Sequence, residues 1–283
     1  MMQKTYTFQN EIIPRDKVFD LRLKEIWRYR DLLFLFVRRD FVAVYKQTIL
    51  GPAWFFIQPL FTTIIYTFIF GNIADLPADG VPHSLFYLAG ITAWNYFANS
   101  LTTISETFTK NAGLFGKVYF PRAVSPLSIV ISNLIQFGLQ LLLFLLVYFY
   151  YIFQGFNISP DWTLALLPVL LIFMALMSLG FGMTISSMTT KYRDLKFLIK
   201  FGVQLAMYGS SVIYPLSEIP EKYQTLVMLN PMVGIIETFK YMFFGMGTFS
   251  WSLIAYSGVF SILIFVFGLA IFNKTEKNFM DTV

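Results

Sequence analysis

The sequence lacks cysteine altogether and is poor in histidine and in charged residues. The absence of Cys excludes disulfides, thiolate nucleophiles and cysteine metal sites. His83 is the one histidine of the chain, which is too few for a histidine metal cluster. Charged residues make up 13% of the 283 residues, whereas soluble globular chains carry about 25%. A soluble thiol enzyme or a histidine-based metalloenzyme is therefore not expected.

Apolar residues, in contrast, account for 57% of the chain, and aromatic residues for 19%. Several apolar runs reach or approach the roughly 18 to 20 residues needed to cross a bilayer. The net charge of +5 is typical of basic loops on the cytoplasmic side of a membrane protein, and we expect no nucleic acid partner. The first 50 residues lack the pattern of a cleaved signal peptide. The composition therefore predicts an all-α polytopic membrane protein.

Residues 1–53 are predicted to be a cytoplasmic lead-in followed by an amphipathic helix. Over residues 18–48, apolar side chains fall mainly on one helix face and charged ones on the other, as in helices that lie on a membrane surface. A soluble helix packed on a partner protein is the alternative. The Gly51-Pro52 pair can end one helix and begin the next, and Trp54 favours the membrane–water boundary. We therefore expect a sharp corner from the membrane surface into the first span.

Residues 54–272 are predicted to form a domain with six transmembrane helices. The expected spans are residues 54–70, 83–109, 124–153, 162–188, 197–214 and 251–272. Residues 215–250 are interpreted as two short re-entrant helices on the outer side, because Glu237 and Lys240 interrupt their apolar run. A charge at the bilayer centre costs about 2.5–3.5 kcal/mol. The two charges are three residues apart and are expected to pair on a helix.

The distribution of Lys and Arg predicts the orientation of the chain. Ten lie in residues 1–53, three in the loop after the second span, four after the fourth span, and two in the tail of residues 273–283. Two of the 21 lie in residues 215–250, and the other predicted outer loops have none. Because basic residues gather on the cytoplasmic side of membrane proteins, both termini are expected in the cytoplasm. The alternative is that residues 215–250 cross the membrane fully, which would put the tail and its two lysines outside.

Three of the predicted spans carry a polar or aromatic face that should not contact lipid. Amides and aromatic rings share a face of the third span, a combination that suits a sugar chain. The alternative is that these groups bond neighbouring helices. The candidates for lining a channel are Asn95, Asn99, Glu106, Asn133, Gln136, Gln140, Phe144, Tyr148, Gln204 and Tyr208. On the fourth span, Ser178, Gly182 and Ser186 form a small-residue face that is expected to allow close helix approach.

Four motifs, in order along the chain, resemble those of a known family. The run from Tyr45 to Trp54, followed by Gln58-Pro59, is similar to the signature that opens the first span in ABC-2 type permeases of polysaccharide export. The further matches are the segments Leu114–Arg122, Lys191–Leu195 and Leu229–Met232, with Glu237 downstream. The ordered set resembles exporters of O-antigen, capsule and teichoic acid more than drug-efflux relatives.

The resemblance implies a homodimer that works with two copies of a cytoplasmic ATPase subunit in a bacterial inner membrane. That partner would bind ATP and Mg, and this chain would bind no cofactor; its segment from Gly113 to Lys117 lacks the spacing of a phosphate-binding loop. The substrate would be a lipid-linked polysaccharide, and membrane lipid would contact the basic amphipathic helix. The implied coupling and cytoplasmic gate residues are Leu114, Phe115, Lys117, Tyr119, Arg122, Lys191, Tyr192, Arg193 and Asp194. The implied outer gate residues are Asn230, Pro231, Glu237 and Lys240.

Three other functions remain open on the sequence alone. An ABC-2 permease for a small amphiphile or drug would share the fold and would also need an ATPase partner. A membrane-embedded glycosyltransferase or acyltransferase would need clustered acidic or histidine residues at a membrane face, where this chain offers Asp75, Asp79 and His83. A passive channel would need no nucleotide.

Overall fold

The computed structural model describes residues 23–46, 48–192 and 194–278, and every regular element in these ranges is a helix. The α-helices are α1 Leu23–Arg28, α2 Arg30–Tyr45, α3 Trp54–Tyr66, α4 His83–Ser105, α5 Thr107–Phe115, α6 Val124–Phe153, α7 Leu167–Thr189, α8 Leu195–Tyr208, α9 Glu221–Met228, α10 Pro231–Phe244 and α11 Trp251–Asn278. The predicted all-α class is confirmed for these residues.

The amphipathic segment was predicted as one helix, but it forms two, α1 and α2. The chain leaves the helical conformation at Tyr29 (φ −96°, ψ 22°) and again at Lys46, which is extended. Phe36 and Val37 of α2 are buried where the helix packs on α6, whereas Arg38 and Arg39 are exposed. At the predicted corner, Gly51 adopts φ +53° and begins a short 3₁₀ turn, Gly51–Ala53. Only Gly takes this left-handed conformation without steric cost, and the new helix start predicted at Gly51-Pro52 is confirmed.

Within the described ranges, four helical segments are long and apolar enough to cross a membrane: Gly51–Ile73, Val124–Phe153, Trp162–Thr189 and Trp251–Glu276. They coincide with the predicted first, third, fourth and sixth spans. In the first, α3 continues into a π-helical turn, Thr67–Ile73. The chain therefore has the architecture of a polytopic helical membrane protein.

The helix α4 is the centre of the bundle. It packs against α3, α6, α7, α8 and α10, and most of its side chains are buried, from Leu85 to Ser105. Because the neighbouring helices surround α4, most of its polar side chains contact protein rather than lipid. The predicted single helix over residues 83–109 is wrong at its end, because Glu106 (φ −100°, ψ 8°) interrupts it and α5 then continues to Phe115.

The helix α8 is shorter than the predicted fifth span. It ends at Tyr208, six residues before the predicted limit. At 1.5 Å per residue its 14 residues measure about 21 Å, less than the roughly 30 Å hydrocarbon core. None of its residues is buried, and Ser211, three residues beyond its end, has φ +55°.

The helix α7 lies between α4 and α11, and small residues bring all three close. A methyl group added at Gly182 would lie 2.6 Å from Ile104 Cβ on α4. One added at Gly268 on α11 would overlap the backbone of Gly180 on α7, 2.8 Å from its Cα atom. The close approach predicted from the small-residue face of this span is confirmed for Gly182.

Candidate functional site

The predicted cytoplasmic gate segment divides into a buried part and an exposed part. Leu114 and Phe115 belong to the last turn of α5, not to a loop as predicted. The Phe120 ring lies 5.6 Å from the Phe115 ring and 5.6 Å from the Phe36 ring of α2. These aromatic contacts fix the ends of the segment. Lys117 and Tyr119 between them are exposed, with Tyr119 at 60%.

Arg122 bonds this segment to the end of α11. Its Nη1 atom donates a hydrogen bond of 2.8 Å to the backbone carbonyl of Glu276, and its Nε atom lies 4.0 Å from the Glu276 carboxylate. The guanidinium also lies 5.4 Å from the centre of the Phe115 ring. Its side chain is 10% exposed, so the charge is held by these partners rather than by water.

We call the contact of Arg122 with Glu276 the Arg122 clamp. A cavity of about 330 Å³ opens beside it, lined by residues 115–120 together with Arg122 and Glu276. The second basic segment follows α7, where Lys191, Tyr192 and Asp194 are exposed, and Arg193 lies outside the described residues. The hydroxyl of Thr189 donates to the Ser105 carbonyl at 3.1 Å, next to the break before α5. The end of α7, where the second segment starts, is therefore bonded to the end of α4, and α5 leads from there to the first segment.

The amides predicted to line a channel instead join α4 to α6. Asn133 Nδ2 donates to Ser100 Oγ at 3.1 Å, and Asn95 Nδ2 donates to Gln140 Oε1 at 3.3 Å. Asn133 and Gln140 are each only 6% exposed. A side chain buried inside one chain does not face a channel in this conformation. For these residues the structure agrees with the alternative, bonds between helices.

The aromatic part of the same face packs on α10. The Phe144 ring lies 4.8 Å from the Phe243 ring, and the Tyr148 hydroxyl donates to the Phe243 carbonyl at 2.9 Å. Phe144 is 0% and Tyr148 3% exposed. These two predicted channel residues are thus part of the core in this conformation, because α10 covers the face that the sequence leaves open.

The remaining channel candidates lie nearer the surface. Asn99, Gln204 and Tyr208 are exposed, and Gln136 is half-buried. Glu106 is held by two ammonium groups, with Lys110 Nζ at 2.7 Å and Lys200 Nζ of α8 at 3.4 Å. Lys200 was missed as a candidate, because sequence spacing does not show which neighbouring helix a side chain meets.

A second polar cluster joins the start of α10 to the loop after α8. Asn230 accepts a hydrogen bond from the Met232 amide at 3.0 Å and so caps α10. Its Nδ2 atom donates to the Gly209 carbonyl at 2.9 Å and to Ser210 Oγ at 2.8 Å. Pro231 occupies the first turn of α10, where its missing N–H costs nothing.

The predicted pair of Glu237 and Lys240 is confirmed, and it is almost fully buried. Lys240 Nζ lies 3.9 Å from Glu237 Oε1, and the two side chains are 4% and 3% exposed. The ammonium group also donates to the Ser211 carbonyl and lies 3.5 Å from the centre of the Phe86 ring on α4. The sequence offered no signal for Phe86 or Ser211, which come from distant segments.

Comparison with known proteins identifies relatives over most of the chain. Residues 31–244 match the family described as ABC-2 type transporter. The chain is 29% identical over 252 residues to an O-antigen export system permease protein RfbA of Klebsiella pneumoniae, covering 89% of this chain and 94% of the relative. A protein of the same name from Myxococcus xanthus is 27% identical over 224 residues, 78% and 84% of the two chains. The polysialic acid transport protein KpsM of Escherichia coli is 23% identical over 239 residues, 81% and 87% of the two chains.

Proposed function

The chain belongs to the ABC-2 type transporter family, and on that premise we propose that it is the permease subunit of a polysaccharide exporter. The supporting observation is the similarity to two O-antigen export permeases and a polysialic acid transport protein along most of their lengths. ATP and Mg would be bound by a separate ATPase subunit. The cargo would be a lipid-linked polysaccharide crossing the bacterial inner membrane.

The proposed topology has six crossings, with both termini in the cytoplasm. The Lys and Arg distribution supports this orientation, since 19 of the 21 lie on one side of it. In this arrangement residues 1–53 lie at the cytoplasmic surface, residues 54–272 form the membrane domain, and residues 273–283 are the tail. Residues 215–250 re-enter on the outer side, which fits the short helices α9 and α10 and the buried charges of α10.

We place the contact with the ATPase subunit at the segments 114–122 and 191–194. Exposed Lys117 and Tyr119 line the 330 Å³ cavity, and the hydrogen bond of Arg122 to Glu276 holds this surface against the end of α11. Motion of the partner would pass through Phe115 into α5 and from there to the break at Glu106. The ion pair of Glu106 with Lys200 carries the same motion to α8.

A second copy of the chain is proposed to complete the channel. Asn99 of α4 and Gln204 and Tyr208 of α8 are exposed, and polar groups at membrane depth face water, protein or each other rather than lipid. These three side chains, with Lys200, are the channel-lining residues that the structure supports best. The buried amides and aromatic rings between α4, α6 and α10 hold these helices together and do not line the proposed channel.

Co-purification with the ATPase subunit tests the proposal. The permease and its ATPase subunit are expected to purify in equal amounts, with ATP turnover needing both. Tyr119→Ala should weaken the association, whereas Tyr223→Ala on α9, 52% exposed, is the matched control. Deletion of the permease gene should remove the surface polysaccharide. Unchanged surface polysaccharide after deletion would refute the function, and equal loss with both Tyr variants would refute the docking site.

A further inference from the structure

The loop Gly209–Leu216 runs from the end of α8 to the first residue of the 3₁₀ turn Leu216–Glu218 that precedes α9, and it is folded inward although residues 209–215 have no regular structure. Val212 is 0%, Ile213 3% and Leu216 1% exposed. A methyl group added at Gly90 of α4 would lie 3.0 Å from the Val212 carbonyl oxygen, so the loop backbone lies directly against the central helix. A buried irregular segment needs partners for its backbone polar groups.

The loop also contains a strained residue. Ser211 has φ +55°, a left-handed conformation that is sterically unfavourable for a non-glycine residue. Such a conformation persists only where the surrounding structure enforces it. The carbonyl of this same residue accepts the hydrogen bond from Lys240 Nζ.

The surroundings of the Lys240 ammonium group come from three parts of the chain. Glu237, one helical turn away, supplies the counter-charge at 3.9 Å. Phe86 of α4 presents its ring face at 3.5 Å, which favours a cation. Ser211 supplies the carbonyl acceptor. One buried cation therefore joins α10, α4 and the loop, while Asn230 bonds the loop start at Gly209.

We propose that Lys240 is the positioning residue that holds the loop Gly209–Leu216 in its strained, buried conformation, with Glu237 keeping the cation in place. Through the loop, α10 fixes the end of α8. The role rests on the proposed function and on the outer gate that the family resemblance implies at Asn230, Glu237 and Lys240, which contact this loop, and it explains the presence of charges in an apolar helix. Opening of that gate then requires release of the Ser211 carbonyl from Lys240.

Thiol labelling tests the contact independently of transport. Val212→Cys places the chain's one thiol in the buried loop, and the purified protein in detergent is treated with a maleimide. Because a hydrogen bond to a charged group is lost, Lys240→Met should raise the labelling rate at least about tenfold. Lys222→Met, on the exposed face of α9, is the matched control and should leave the rate unchanged.

A double variant separates loop release from misfolding. Lys240→Met alone leaves Glu237 buried without its counter-charge, so it could unfold the protein, whereas Glu237→Gln combined with Lys240→Met removes both charges. The double variant should elute as the parent on size exclusion and still label about tenfold faster. A folded double variant that labels within twofold of the parent would overturn the proposal. Faster labelling with unchanged polysaccharide export would leave the positioning role standing and refute the gate assigned to this loop.

Discussion

The crossing of α7 and α11 allows a test of the packing that holds the membrane domain together. Gly268 and Gly180 meet backbone to backbone, and a methyl group at Gly268 would stand 2.8 Å from both the Cα and the carbonyl carbon of Gly180. Backbone atoms cannot move aside as a flexible side chain can. Overpacking of this kind costs about 1–3 kcal/mol, occasionally more. Gly268→Ala should therefore separate the two helices and destabilise the protein.

Gly138→Ala on α6 is the matched control, because nothing lies within 4 Å of an added methyl group there. Ala is favoured over Gly in a helix by about 1 kcal/mol, so this variant should be neutral or slightly more stable. The measurement is the midpoint of thermal unfolding of the purified protein in detergent, with surface polysaccharide as a second readout. If both variants unfold at the parental temperature, the close crossing of α7 and α11 is wrong.

Three further predictions concern other parts of the chain. Arg122→Met removes a charge-assisted hydrogen bond of about 1.5–3 kcal/mol to Glu276, and should reduce export at matched expression; normal export would exclude a role for the clamp. Gly51→Ala forces Ala into φ +53° at a cost of about 1–2 kcal/mol, so export should fall while membrane insertion stays normal; normal export would tell against the corner. Gln204→Ala should lower export without changing thermal stability, whereas Asn133→Ala should lower stability because Ser100 loses its partner; the reverse pattern would contradict the assignment of exposed and buried amides.

Helix positions could be predicted where an apolar run is long and its ends carry turn or interface residues. The helix α6 has the limits expected, residues 124–153, because a long, mostly apolar segment without a charged residue follows Pro121 and Arg122. The start of α11 at Trp251 was equally clear. The break at Glu106 and the early end of α8 were missed. Both depend on local backbone conformations, at Glu106 and at Gly209, that apolar periodicity does not encode.

The role of a polar face was harder to predict than its existence. The stripe on α6 was identified correctly as a set of residues on one helix face, but periodicity does not show what covers that face. Phe243 of α10, about 100 residues later in the chain, packs on Phe144, and Asn95 of α4 meets Gln140. In contrast, the pairing of Glu237 with Lys240 needs only helical spacing, so the sequence sufficed.

The first membrane helix combines three helical geometries: a 3₁₀ turn at Gly51–Ala53, the α-helix α3, and a π-helical turn at Thr67–Ile73. A 3₁₀ turn rises about 2.0 Å per residue and an α-helix 1.5 Å, so converting the three residues of the first turn changes the helix length by about 1.5 Å. Phe61, Ile64 and Phe68 project outward from this helix. Such a conversion would match the segment to bilayers of different thickness, and we expect fatty acid composition to affect the function of this protein through α3 first.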